Sequence, residues 1–156
     1  MVSTSRYKRQ AKQAGHVGDE SGDLAQEMIE RANGLVASRK LIPDDARLLK
    51  STLSKALREV DLDVVVLTGG TGVSTTDVTI ETARPFFEKE VEGFGEIFRS
   101  VSFEKIGAAA ALSRATAGVA KGKLIMCLPG SPDAVRTALG LFLGEVPHVL
   151  HLARGR

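Results

Sequence analysis

The stretch DVVVLTGGTGVSTTDVT, residues 63–79, joins a run of β-branched residues to a glycine-rich loop. A continuous apolar run of this kind is typical of a strand that is buried on both faces of a parallel sheet. The loop contains Gly69, Gly70 and Gly72, more glycine than a turn needs, and the acidic residue Asp77 follows. Because ligands of open α/β sheets bind at the carboxyl ends of strands, the stretch predicts an α/β fold with a binding loop at this position.

The rest of the chain alternates between helical and strand patterns. A second buried strand, KLIMCL, is predicted at 123–128 and a further strand at 35–42. Helices are predicted over residues 22–33, 44–60, 77–91 and 107–120, the last from its alanine content, and again from Pro132 onward. This alternation predicts a layered α/β architecture with a mostly parallel sheet.

The bulk composition fits one globular domain spanning residues 1–156, with residues 1–20 partly in a loop. Hydrophobic residues make up 43% of the chain and charged residues 26%, and the net charge of +2 argues against a nucleic-acid surface. No apolar run approaches the ~20 residues that cross a bilayer, and the polar N-terminus lacks a signal-peptide core. The single cysteine, Cys127, lies in an apolar run, which predicts a buried thiol. We therefore expect a cytoplasmic protein without a nucleic-acid or membrane partner.

A second loop follows a buried strand in the same way as the first. It consists of Pro129, Gly130, Ser131 and Pro132. Both loops lead into predicted helices, whose N-terminal N–H groups favour anions. Hydroxyl donors are available from Thr71, Ser74 and Ser131. Together the loops predict a phosphorylated ligand. A purely structural turn remains the alternative, because the glycine spacing matches neither GxGxxG nor the P-loop.

Two aspartates, Asp77 and Asp44, follow predicted strands and are candidates for chemistry. A carboxylate beside a phosphate repels it unless a cation lies between them. Mg²⁺ is typically held by one or two carboxylates together with substrate phosphates. The alternative is that each aspartate caps the helix that follows it, as Ser21 is expected to cap the helix at 22–33.

The histidines predict no metal site. His148 and His151 have a spacing that places ligands on one helix face, but no further His or Cys completes a set. We expect both at the surface of a helix end, and His16 lies in a polar loop.

Several segments of the chain occur together in one known family. The segments SGD, LIPDD, VVLTGGTGVSTTDVT, EVEGFGEIFRSVSFEKIG, SRATAGV and LPGSP follow one another between Ser3 and Leu139. In this order and spacing they resemble the MoaB/MogA family of molybdenum cofactor biosynthesis proteins. The resemblance implies a three-layer α/β/α fold with a mostly parallel central sheet that binds molybdopterin.

The resemblance also implies an activity. Family members use Mg-ATP to adenylylate the terminal phosphate of molybdopterin, with release of pyrophosphate. Carried onto this chain, it makes Asp77 and Asp44 the catalytic and metal-binding residues, with Mg²⁺ as cofactor and ATP as co-substrate.

The same resemblance assigns the binding residues. The phosphate-binding positions would be Gly69, Gly70, Thr71, Gly72 and Ser74 in the first loop and Pro129, Gly130, Ser131 and Pro132 in the second. Ser21 and Gly22 would lie on the nucleotide side, and Glu96 would border the pocket.

Other functions stay open. A protein with the same pocket could carry molybdopterin without catalysis, and a third possibility is molybdate insertion, the task of a related domain in larger proteins. The family implies a homotrimer or homohexamer, for which the phenylalanine-rich segment 90–107 would supply apolar surface. A downstream molybdate-insertion protein is a further candidate partner, and either molybdenum or tungsten could be the cargo.

The chain departs from the family at its start. Family members have a full hydrophobic strand ahead of the segment VSTSRY, of which only Met1 and Val2 match here. We therefore expect a first strand that is truncated or unusually short.

Overall fold

The computed structural model describes residues 2–3 and 18–155. The strands within them are β1 (Val2–Ser3), β2 (Lys40–Leu41), β3 (Val64–Thr68), β4 (Lys89–Glu90), β5 (Thr116–Ala120) and β6 (Lys123–Leu128). The α-helices are α1 (Glu20–Arg31), α2 (Ala46–Ala56), α3 (Thr79–Ala83), α4 (Glu92–Ile106), α5 (Pro132–Phe142) and α6 (Val146–Ala153). Within the described residues, 3₁₀ segments occur at Arg84–Phe86, Gly107–Leu112 and Leu143–Glu145.

The strands form one mixed sheet in the order β2-β1-β3-β6-β5-β4. β1 runs parallel to both β2 and β3, and β3 runs parallel to β6 with Val64–Thr68 in register with Leu124–Leu128. β5 pairs antiparallel with β6 on one side and with β4 on the other. The expectation of a mostly parallel central sheet therefore needs correction, because a reversed strand interrupts the sheet between β6 and β4.

The prediction of a helix at 107–120 is also wrong, because the end of this segment forms the reversed strand β5. Lys121 and Gly122 both have positive φ angles, 53° and 69°, and they link β5 directly to β6. Two consecutive positive φ angles are typical of the two-residue turns that close β-hairpins. The alanine-rich segment is thus divided into the 3₁₀ segment Gly107–Leu112 and strand β5, since pairing with β6 outweighs its local helix propensity.

Helices cover both faces of the sheet, which agrees with the expected three layers. Alternate residues of β3 point to opposite faces, so Val65 and Leu67 join one core cluster and Val66 joins the other. Helices α2 and α3 pack on the first cluster, whereas α1, α4 and α5 pack on the second. Cys127 is fully buried in the first cluster, as its apolar surroundings predict.

The helix starts differ from two of the expected caps. Asp19, not Ser21, caps α1 by accepting a hydrogen bond from the Gly22 N–H. Asp45, not Asp44, caps α2. The N-cap of α5 is Ser131, directly before Pro132 at the first helical position, where proline is favoured.

The remaining predicted segments are only partly confirmed. The strand expected at 35–42 is restricted to β2, and the helix expected at 77–91 is divided into α3, a 3₁₀ segment containing Pro85, and β4. His148 and His151 are exposed on α6, whereas His16 lies outside the described residues. In the part of the chain that the structure describes, no helix combines the length and apolar character needed to cross a bilayer.

Candidate phosphate-binding site

The two predicted loops meet at one edge of the sheet. β3 and β6 are parallel neighbours, so their carboxyl ends lie side by side. The N–H of Gly69, directly after β3, donates a hydrogen bond of 2.9 Å to the carbonyl of Leu128, the last residue of β6. The loops that follow these strands are therefore adjacent at their bases.

The first loop, which we define as residues 69–78, is anchored to the start of α3. The buried Thr79 hydroxyl donates to the Gly69 carbonyl at 2.7 Å, and the Thr79 N–H donates to the Gly70 carbonyl at 3.0 Å. Gly69 and Gly70 have φ angles of 90° and 63°. This left-handed backbone region strongly favours glycine, so these two glycines are needed for the turn itself.

Asp77 closes a turn within this loop and does not cap α3. Its Oδ2 accepts a hydrogen bond of 2.9 Å from the Ser74 N–H, and its own N–H donates to the Ser74 carbonyl at 3.0 Å. The N-cap of α3 is Val78, without a side-chain hydrogen bond. The capping alternative for Asp77 is therefore wrong, and the turn leaves its second carboxylate oxygen, Oδ1, without a hydrogen bond inside residues 18–155.

Gly72 makes room for the Asp77 carboxylate. A Cβ atom at position 72 would lie 2.8 Å from Oδ2 of Asp77, too close for a carbon–oxygen contact. The absence of a side chain at Gly72 therefore lets the carboxylate fold against the loop backbone.

The second loop is held from the opposite side by α1. The hydroxyl of Ser21, a residue only 2% exposed, donates to the Gly130 carbonyl at 2.7 Å. Ser131 accepts from the Ala134 N–H at 3.3 Å and is otherwise exposed at the start of α5. The expected nucleotide-side residue Ser21 is thus brought to the second loop, where it fixes the loop backbone.

Gly22, the other expected nucleotide-side residue, lies in the first turn of α1. Its N–H donates to Oδ1 of Asp19 at 3.0 Å, and Oδ2 of Asp19 forms a 3.0 Å ion pair with Arg39. A side chain at position 22 would collide with both of these groups. Gly22 therefore has a structural reason to be glycine that is independent of any ligand.

The two other expected site residues lie on different elements from the first loop. Asp44 follows β2, and β1 lies between β2 and β3 in the sheet, which separates the two strand ends by about 10 Å. Glu96 is exposed on α4, next to the buried Gly95. The strand order therefore does not place Asp44 next to Asp77.

Arg114 is a site residue that the sequence analysis missed. Its Nε donates to the Gly72 carbonyl at 2.8 Å, its N–H donates to the Thr71 carbonyl at 3.1 Å, and its guanidinium pairs with Glu81 of α3. The hydrogen bond from Arg114, together with its charge, lowers the pKa of the Glu81 carboxyl. In the sequence, the signal for Arg114 was the single positive charge in the segment SRATAGV. The helix expected at 107–120 gave no reason to place this charge at the first loop.

The donor set suits a metal ion that is shared with phosphates. The described residues contain no group of three or more His, Cys, Asp and Glu side chains arranged to hold a metal ion. Mg²⁺ needs only one or two carboxylates when substrate phosphates and water complete its shell. The Asp77 carboxylate fits this requirement. Its Oδ2 lies against Gly72, and its Oδ1 has no hydrogen-bond partner within residues 18–155.

The chain is similar to known proteins over nearly its whole length. The sequence model of a family described as a probable molybdopterin binding domain matches residues 1–149. A protein of Methanocaldococcus jannaschii named probable molybdopterin adenylyltransferase is 42% identical over 155 residues, covering 99% of this chain and 91% of the relative. The molybdopterin adenylyltransferase of Pyrococcus furiosus is 42% identical over 144 residues, covering 90% of this chain and 83% of the relative.

Solved structures give the same result for the fold. A crystal structure of a molybdenum cofactor biosynthesis protein B superposes with a TM-score of 0.88 at 34% identity, covering 99% of this chain and 94% of the other. The tungsten cofactor synthesizing protein MoaB from Pyrococcus furiosus superposes with a TM-score of 0.85 at 38% identity, covering 98% and 93%. The family match over nearly the whole sequence and these relatives establish that the chain belongs to the MoaB/MogA family, whose shared unit is a probable molybdopterin binding domain.

Proposed function

We propose that this chain transfers the adenylyl group of ATP to the terminal phosphate of molybdopterin and releases pyrophosphate. The observation that carries the proposal is the 2.9 Å hydrogen bond from the Gly69 N–H to the Leu128 carbonyl, which holds two glycine-containing loops side by side. The reaction joins two phosphate-bearing molecules, so it needs two adjacent anion sites. The activity named for relatives at 42% identity supports the same reaction.

In the proposed reaction, an oxygen of the pterin phosphate attacks the α-phosphorus of ATP. The new bond joins that oxygen to phosphorus, and the bond from phosphorus to the bridging oxygen of pyrophosphate breaks. This chemistry needs positioning and charge neutralisation more than covalent participation by the protein. Backbone N–H groups in glycine loops and at the N-terminus of α5 supply such stabilisation.

We assign the phosphate of the pterin to the first loop, through Gly69, Gly70, Thr71, Gly72 and Ser74. The second loop, Pro129, Gly130, Ser131 and Pro132, would hold the other phosphate-bearing ligand. On the nucleotide side, Ser21 acts through the Gly130 carbonyl, Gly22 allows close packing, and Glu96 borders the pocket from α4. The whole chain, residues 1–156, would act as one domain.

Asp77 is the proposed catalytic carboxylate. The Ser74 N–H fixes one of its oxygens, so the carboxylate has a set direction before ligand arrives. Asp44 is the second candidate ligand for Mg²⁺, reached across the end of β1. When bound, Mg²⁺ would neutralise charge on the phosphates.

The test is pyrophosphate release by purified protein with molybdopterin and Mg-ATP. The wild type should release pyrophosphate only when the pterin is present. Asp77→Asn keeps an oxygen for the Ser74 N–H but removes the charge, so we expect a rate about a thousandfold lower with pterin binding retained. Asp61→Asn is the matched control. Asp61 is an exposed carboxylate before the start of β3, at the end of the sheet opposite the loops. This variant should release pyrophosphate at the wild-type rate.

The outcomes separate the candidate functions. Pterin binding without pyrophosphate release by the wild type would contradict the enzyme and favour a molybdopterin carrier. Turnover by Asp77→Asn near the wild-type rate would remove Asp77 from the metal site while leaving the reaction in place.

We further propose that the chain acts as a homotrimer or homohexamer in the cytoplasm, where ATP is available, and passes its product to a molybdate-insertion protein. Phe103 and Ile106, each 60% exposed, lie on one side of α4 and supply apolar surface for self-association. Contiguous exposed apolar patches mark interaction surfaces in many proteins.

A further inference from the structure

Arg114 ties the first loop to two other parts of the fold. Its Nε and its backbone N–H donate to the carbonyls of Gly72 and Thr71, and its guanidinium pairs with Glu81. The Arg114 side chain is 34% exposed, so its hydrogen bonds are partly shielded from water. One residue thus holds both the loop and the helix that follows it.

The segment that carries Arg114 is itself held by α4. Arg99 donates to the carbonyls of Ser113 and Ala115, the neighbours of Arg114, at 3.4 and 3.3 Å. Gly95 packs so closely on this segment that a Cβ atom there would lie 2.5 Å from the Ala115 carbonyl oxygen. Arg114 therefore lies in a segment that α4 holds in place. Its hydrogen bonds to Gly72 and Thr71 fix the first loop relative to that segment.

We propose that Arg114 is the positioning residue that sets the direction of the Asp77 carboxylate during adenylyl transfer. The inference deepens the proposed function and rests on it. The Gly72 carbonyl is bonded to Arg114, and the α-carbon of the same residue faces Oδ2 of Asp77 across a gap too small for a methyl group. A shift of Gly72 would therefore move the backbone against which the Asp77 carboxylate packs. Within residues 18–155 no hydrogen bond or ion pair joins Arg114 to Asp77, so Arg114 acts through the loop.

The chain contains a closely matched control for this arrangement. Arg154 also donates from Nε to a glycine carbonyl, that of Gly122 at 3.0 Å, and also pairs with a carboxylate, Asp63. The exposed fractions agree: 35% and 58% for Arg154 and Asp63, against 34% and 57% for Arg114 and Glu81. Gly122 lies in the β5–β6 turn, at the far edge of the sheet from the loops. The two arginines make similar contacts and differ mainly in position, since Arg114 bonds the first loop and Arg154 bonds the β5–β6 turn.

The experiment compares Arg114→Gln with Arg154→Gln in two measurements. Hydrogen exchange of the ligand-free protein should show amides 71–77 exchanging about fivefold or more faster in Arg114→Gln, and unchanged in Arg154→Gln. In pyrophosphate release, Arg114→Gln should lower kcat roughly ten- to hundredfold and raise the half-saturating Mg²⁺ concentration, with little change in the KM for molybdopterin. Arg154→Gln should lower thermal stability to a similar extent but keep the wild-type kcat.

A conservative variant separates positioning from charge. Arg114→Lys keeps the positive charge beside Glu81 but lacks the planar fork that bonds Gly72 and Glu81 together. We expect it to restore stability but not kcat.

Three results would each overturn the inference: unchanged exchange at 71–77 in Arg114→Gln, full recovery of kcat in Arg114→Lys, or a rise in KM with kcat unchanged. A wild type without pyrophosphate release would instead reject the proposed function, and the exchange measurement would still decide whether Arg114 holds the loop.

Discussion

Ser21 and Gly130 lie 109 residues apart in the chain and are joined by a 2.7 Å hydrogen bond from the serine hydroxyl to the glycine carbonyl. The bond connects the first turn of α1 to the loop before α5. Because Ser21 is buried, its hydroxyl would otherwise lose its bonds to water without compensation. The contact therefore fixes the second loop against the second core cluster.

Removing this bond should weaken both stability and ligand binding. Ser21→Ala leaves the Gly130 carbonyl without its donor, and we expect the free energy of unfolding to fall by about 1–2 kcal/mol. Affinity for Mg-ATP or molybdopterin should fall as the second loop loosens. Chemical denaturation and a binding titration measure the two effects, with Ser51→Ala on the exposed side of α2 as the control. Wild-type stability and affinity in Ser21→Ala would show that the loop needs no support from α1.

The ion pair between Glu81 and Arg114 predicts a dependence of stability on pH. The hydrogen bond from Arg114 lowers the pKa of Glu81 from its ordinary value of 4.5. A lowered pKa in the folded state stabilises the protein above the unfolded-state value, and this contribution is lost as the pH falls through the folded-state value.

Glu81→Gln should therefore be less stable than the wild type at pH 7, by about 0.5 kcal/mol because the pair is partly exposed. The difference should shrink as the pH falls below 4.5. Denaturation at several pH values measures it. Glu104→Gln serves as the control, since Glu104 forms no ion pair within residues 18–155. A constant difference down to the acid limit would contradict the pairing.

The thiol of Cys127 should be unreactive in the folded protein. Burial raises its pKa to about 12, so at pH 8 the thiolate that reacts with disulfide reagents is nearly absent. We expect labelling only after unfolding in guanidinium chloride, at the rate of an ordinary cysteine. Rapid labelling without denaturant would mean that the first core cluster opens locally.

Self-association should depend on the outer side of α4. Phe103→Lys replaces an exposed aromatic side chain with a charged one and should shift light-scattering masses toward the monomer. Leu35→Lys changes a side chain that is 90% exposed in the segment before β2 and should leave the assembly intact. A wild type that is monomeric at micromolar concentration would contradict the proposed oligomer.

The strands that carry the site were predictable because their residues are strongly patterned. The β-branched run before Gly69 and the apolar run before Pro129 became β3 and β6. Their loops and the start of α5 at Pro132 were also expected from local composition. The family resemblance added the site residues.

The errors arose where local preference and tertiary context disagree. Residues 107–120 are rich in alanine, which favours a helix, but the positive φ angles at Lys121 and Gly122 turn the chain into a hairpin. The capping of α2 was assigned one residue too early, because Asp44 and Asp45 are chemically identical and only the backbone geometry distinguishes them.

By itself, the amino-acid sequence determined that buried strands would end in glycine loops and that Asp77 would follow one of them, because strand burial and turn formation depend on residues close in the chain. Only the tertiary structure decided that β3 and β6 are neighbours and that Arg114 reaches the first loop from 42 residues away. The pairing of Ser21 with Gly130 was decided in the same way. These contacts join residues far apart in the chain, and they form only when the sheet order and the helix layers have brought their backbones together.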